Sequence, residues 1–119
     1  MLTSKQIMET AVKAIDSKKG RDIKALYIRE LSTVADYFVL CTANSPTQIK
    51  AISDEIERLL ELEGEQALRV EGKRDGGWIL VDVGVVVIHI FLKEMREFYS
   101  LERLWGDAPE ADISNLITE

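Results

Sequence analysis

Apolar positions near the start of the chain recur at helical spacing: Ile7, Met8, Ala11, Val12 and Ile15 fall on one stripe. Thr3-Ser4-Lys5-Gln6 just before them reads as a capping box, in which the Thr3 hydroxyl takes an early backbone N–H and Gln6 returns the bond. Lys18-Lys19-Gly20 supplies cations for the negative end of the helix dipole and a glycine to stop it. From Ile23 to Leu31 the pattern alternates as in a strand. Tyr37 to Thr42 reads as a second strand, with so little alternation that both its faces should be covered, and Asp36 lies at its start. Ser45 then serves as N-cap, Pro46 as first helical residue and Gln48 as the return partner of a second capping box. The helix they open buries Ile49, Ile52, Ile56, Leu59 and Leu60 and ends at Gly64.

Three strands follow, Ala67 to Glu71, Trp78 to Asp82 and Val85 to Leu92, with Gly76-Gly77 and Val83-Gly84 as breakers. The last two form a hairpin with two competing registers. A two-residue loop at Val83-Gly84 puts Trp78 opposite His89, but a type I′ turn would force positive φ on the β-branched Val83. A three-residue loop ending with Gly84 in the left-handed conformation avoids that cost and is preferred; it sends Trp78 and His89 to opposite faces. Glu94 to Trp105 reads as the final helix, stopped by Gly106. The fold class expected is α/β (α+β): one domain with a mixed five-stranded sheet flanked by helices in the order α-β-β-α-β-β-β-α, nucleotidyltransferase-like but without catalytic residues. Residues 1–108 are expected to form the domain, and 109–119 an acidic surface tail whose Ile113, Leu116 and Ile117 dock weakly on the body.

Composition narrows the function. A length of 119 residues with 46% hydrophobic content suits one core. The apolar run from Val83 to Leu92 is broken by His89 and falls short of the roughly 18 residues a membrane span requires. The N-terminus has neither a secretory signal nor a transit-peptide character, so a cytoplasmic protein is expected. Net charge is −6, which opposes a large phosphate-binding surface and suits a basic protein partner. The acidic weight lies toward the C-terminus: residues 1–30 carry seven Lys/Arg and four Asp/Glu, residues 93–119 three and seven.

Enzymatic chemistry finds little support. A nucleotidyltransferase needs two carboxylates one residue apart on a strand and a Gly-Ser start to its site; Asp82-Val83-Gly84 offers one carboxylate, and no Gly-Ser occurs. The lone Cys41 reads as core filler, and with the lone His89 it makes no zinc set. His89, between Ile88 and Ile90, reads first as a hydrogen-bonded structural residue, with partner contact second and catalysis last. Gly72 to Gly77 lacks the Lys-Ser/Thr ending of a P-loop, and no serine sits in a nucleophile elbow. Trp78, after two glycines at a strand edge, suits core packing and partner contact equally; Trp105 and Tyr99 read as helix packing on spacing alone.

Three segments resemble the Iojap, or ribosomal silencing factor, family. The first is Ala35-Asp36-Tyr37-Phe38-Val39-Leu40-Cys41-Thr42 with Asn44-Ser45, and the second Trp78-Ile79-Leu80-Val81-Asp82 with Gly84 and His89-Ile90-Phe91. The third runs from Phe98 through Trp105-Gly106-Asp107-Ala108. Their order and spread cover nearly the whole chain. The family commonly reads Asp, an aromatic or Leu, Gly, Asp at the hairpin turn; here Val83 and Val85 depart from it, and Val85 removes one acidic contact with a basic partner. The resemblance implies a non-catalytic factor that needs no cofactor or metal. It would bind the large ribosomal subunit through the fourteenth ribosomal protein, obstruct joining of the small subunit and lower translation when nutrients are scarce. It also implies a homodimer off the ribosome. The partner-binding residues it points to are Glu71, Gly72, Trp78, Asp82, His89, Tyr99, Glu102, Trp105 and Asp107. Two other readings stand beside it: a nucleotidyltransferase-like enzyme with an unrecognised metal site, and a homodimeric adaptor without ribosome contact.

Overall fold

The starts predicted for the first two helices are present; most of the third, expected from Glu94 to Trp105, lies outside the described residues. In the computed structural model, which describes residues 2–29, 35–67, 69–73, 77–95 and 108–117, Thr3 Oγ1 accepts from the Gln6 N–H at 3.1 Å and Gln6 Oε1 from the Thr3 N–H at 2.9 Å. This box opens α1 (Ser4–Ser17). At α2 (Pro46–Leu62), Ser45 Oγ caps the Gln48 N–H at 3.1 Å with Pro46 in the first turn. The second box is not reciprocal: Gln48 Oε1 accepts from Asn44 N–H, at 2.6 Å, and Gln48 Nε2 donates to the carbonyls of Lys18 and Lys19 at 3.0 Å. Gln48 therefore ties the start of α2 to the end of α1, using bonds with a tertiary neighbour that spacing alone does not reveal.

The strands are β1 (Arg21–Tyr27), β2 (Tyr37–Ala43), β3 (Arg69–Lys73), β4 (Trp78–Asp82) and β5 (Val86–Leu92), in the sheet order β1-β2-β5-β4-β3. Only the central pair, β2 and β5, is parallel, as a connection through α2 allows. That position explains the unbroken apolar runs of β2 and β5, buried on both faces. Cys41 is fully buried there.

Among the described residues, α1 and α2 pack on one face of the sheet. Val39, Cys41, Ile79, Val81, Ile88 and Ile90 meet the stripes of α1 and α2 in one core. The other face gathers Leu26, Leu40, Val87 and Phe91, with Phe38, Trp78 and Leu80 partly buried against them. Residues 109–111 run along the outer edge of β1, where Tyr27 N–H donates to the Pro109 carbonyl and Ala111 N–H to that of Ala25, and Ile113 is buried beyond them. Among the described residues, no helix is long and apolar enough to cross a membrane.

The hairpin differs from the preferred register. Asp82 pairs with Val87, Leu80 with His89 and Trp78 with Phe91, so Trp78 and His89 share a face. The loop sits one residue later than either register placed it: Val83 N–H donates to the Val86 carbonyl, leaving Gly84-Val85 at the tip. Gly84 carries the positive φ, 87°, and no β-branched residue is forced into it. The steric objection to Val83 thus holds, and the chain meets it by shifting the turn. Val85 does not extend the strand; it is exposed at the tip, and its carbonyl accepts the N–H groups of Asp36 and Tyr37 at 2.7 and 3.2 Å.

Candidate functional site

Strand registers bring four of the proposed residues onto the face opposite the helices. Arg69 pairs with Asp82, Glu71 with Leu80, and Leu80 in turn with His89, so Glu71, Trp78, Asp82 and His89 align on one side. The fifth, Gly72, lies opposite Ile79 with φ 100°; a Cβ there would strike the Trp78 carbonyl oxygen. Glycine lets β3 approach the backbone that carries Trp78. Tyr99, Glu102, Trp105 and Asp107 lie outside the described residues.

At the centre is a group of rings. His89 is 6% exposed and meets Phe38 edge-on at 5.2 Å between centroids. Its plane lies 2° from that of Phe91 and 13° from that of Trp78, at 5.9 and 6.2 Å. The Trp78 indole Nε1–H donates to His89 Nδ1 at 3.4 Å, a long bond. His89 Nε2 is buried with no hydrogen-bond partner among the described residues, an arrangement that costs about 1–3 kcal/mol. Burial pushes the imidazole pKa down to about 4, so the ring is neutral at pH 7.

Carboxylates lie at the edge of this group. Asp82 Oδ1 accepts the Gly84 N–H at 2.8 Å and so holds the hairpin tip, while Oδ2 takes Arg69 Nε at 3.1 Å. Arg69 Nη1 reaches Glu71 at 2.9 Å. Arg69 thus spans two acids proposed to meet a basic partner. With its side chain 59% exposed, these pairs are worth less than about 1 kcal/mol each and exchange readily for another cation. Arg69 was not singled out from sequence, and Phe38, Leu80 and Phe91 stood only within the family segments; the β2–β5, β4–β5 and β3–β4 registers bring them to this face. Among the described residues, no group of three His, Cys, Asp or Glu side chains could hold a metal ion. The site offers an aromatic platform edged with acids, suited to recognition.

Comparison with known proteins agrees with such a role. Residues 1–119 match the sequence profile of the family described as ribosomal silencing factor during starvation. Ribosomal silencing factor RsfS of Bacillus subtilis is 45% identical over 112 residues, covering 94% of this chain and 95% of that protein. Its namesake from Halalkalibacterium halodurans is 37% identical over 117 residues, covering 98% and 100%. A crystal structure of a Chromobacterium violaceum protein matches the fold with a TM-score of 0.85 at 32% identity, covering 88% of each chain. The mixed sheet, the helices on it and the match along its full length together establish that the chain belongs to the ribosomal silencing factor family, whose members are regulators of translation and not enzymes.

Proposed function

We propose that this protein acts in the cytoplasm by binding the large ribosomal subunit through the fourteenth ribosomal protein, blocking entry of the small subunit and repressing translation under nutrient limitation. The observation that carries the reading is the convergence of Trp78, Glu71 and Asp82 on one sheet face, with aromatic surface only partly buried and acids at its rim. Aromatic anchors ringed by charge are the usual makings of a protein interface. The net charge of −6 favours approach to a basic ribosomal protein and discourages indiscriminate contact with ribosomal RNA. Tyr99, Glu102, Trp105 and Asp107 join the proposed surface through the third family segment, and His89 contributes from beneath.

The mechanism is steric and stoichiometric. Light scattering of mixed subunits, with increasing protein added to the large subunit first, should show association falling toward zero as the large subunits saturate. Unchanged association despite co-sedimentation with the large subunit would reject the obstruction. Away from the ribosome the chain pairs with itself through part of the same surface. Adding the ribosomal partner in analytical ultracentrifugation should convert the dimer to a one-to-one complex, and a two-to-two complex would place the surfaces apart.

A further inference from the structure

The imidazole of His89 is held in a state that is costly unless it serves something. Its Nδ1 is committed as acceptor to the Trp78 indole N–H. A neutral imidazole carries one proton, so that proton must be on Nε2, where it has no acceptor among the described residues. The ring is nonetheless enclosed by Phe38 and Phe91, an environment in which a phenyl group would leave no orphaned donor. Direct contact with a partner does not account for it, because His89 is 6% exposed and Nε2 is buried. Trp78, by contrast, is only partly buried. The strand register makes the two diagonal neighbours, which brings the imidazole acceptor within reach of the indole donor.

We infer that His89 is a positioning residue: through Nδ1 it fixes the orientation of the Trp78 indole and presents that ring already ordered to the ribosomal partner. The inference rests on Trp78 being a partner contact, as in the function proposed above. Preordering spares the complex the cost of immobilising a large side chain on binding, a penalty of about three- to tenfold in affinity.

Three variants of His89 and two ¹⁵N spectra test it. Asparagine places its Oδ1 near the position of Nδ1, so His89→Asn keeps the acceptor; His89→Phe and His89→Leu remove it while keeping the site apolar. In ¹⁵N-labelled protein, with the Trp78 resonance identified by its loss in Trp78→Phe, His89→Phe should shift the indole N–H and speed its exchange with water. His89→Phe should unfold at or above the wild-type temperature yet bind purified large subunits about three- to tenfold more weakly. His89→Asn should unfold at a lower temperature but retain the indole signal and bind within about twofold of wild type. This opposite ordering of stability and affinity is what a merely structural histidine would not produce. Wild-type affinity in a folded His89→Phe or His89→Leu, or an unmoved indole signal, would overturn the inference. A long-range ¹⁵N spectrum of wild-type His89 at pH 7 needs no variant: it should show a proton on Nε2 and none on Nδ1, and the reverse tautomer would also overturn it. Should the wild-type chain fail to bind large subunits, the functional reading falls, while the tautomer and indole signals still decide whether His89 fixes Trp78.

Discussion

The two faces of the sheet are built on different terms. Toward the helices, Val39, Cys41, Val81, Ile88 and Ile90 are wholly buried, with Ile49, Ile52, Ile56 and Leu60 of α2 equally so. Aliphatic groups in close packing carry no polar obligations. The opposite face has rings, a histidine with an orphaned nitrogen, part-exposed Phe38, Trp78 and Leu80, and an arginine spanning two acids. A sequence under selection for stability alone would have filled this second face as it filled the first. The contrast suits a division in which the helical side carries stability and, in the function proposed above, the aromatic side carries recognition.

Cutting into the helical face should have the largest effect on stability. Ile88 is fully buried there, and Ile88→Ala should cost about 3–4 kcal/mol in denaturant unfolding, near the upper range for such truncations. A cost below about 1 kcal/mol would mean that this core is looser than its burial implies.

Acid should expose the second face next. His89 has a pKa near 4 when folded against 6.5 for the free side chain. The unfolded chain therefore binds the extra proton first as pH falls, and the stability linked to this group, complete above pH 6.5, is lost progressively toward pH 4. The loss should total roughly 3 kcal/mol. Unfolding free energies of wild type and His89→Phe, measured from pH 7 to pH 4, should diverge by that amount; parallel curves would show that His89 is not buried as a neutral group.

The smallest effect belongs to the rim. Asp82→Asn keeps an oxygen for the Gly84 N–H but loses the charge paired with Arg69, so stability should fall by less than about 1 kcal/mol. If the rim faces a basic partner, stopped-flow mixing should show slower association and a flatter dependence on salt. An unchanged rate with faster dissociation would place Asp82 in a desolvated contact.

Much of the helical face was legible in the sequence, because its signals are local. Thr3, Gln6, Ser45 and Pro46 mark helix starts within four residues of chain, and the stripes of α1 and α2 follow from periodicity. The aromatic face depends on register, which β4 and β5 do not settle alone. With Val83, Val85, Val86 and Val87 around a single glycine, several loop placements bury equally apolar sets. The Val85 carbonyl, bonded to the start of β2, helps to settle it through a segment nearly fifty residues away in sequence. For the same reason Arg69 was missed: β3 was expected at Ala67 to Glu71, whereas pairing with β4 runs from Arg69 to Lys73 and sets the arginine opposite Asp82. The family segments indicated Trp78, Asp82 and His89; only the strand registers show that they share a face with Glu71.

The central claim is that the aromatic face is the partner-binding face, and Trp78 tests it most directly. Thermal unfolding and affinity for the isolated fourteenth ribosomal protein should be measured side by side for wild type and Trp78→Ala. The account predicts a variant that remains folded and loses about 2 kcal/mol or more of binding free energy, a weakening of roughly thirtyfold or greater. A Trp78→Ala protein that stays folded and binds with wild-type affinity would contradict it.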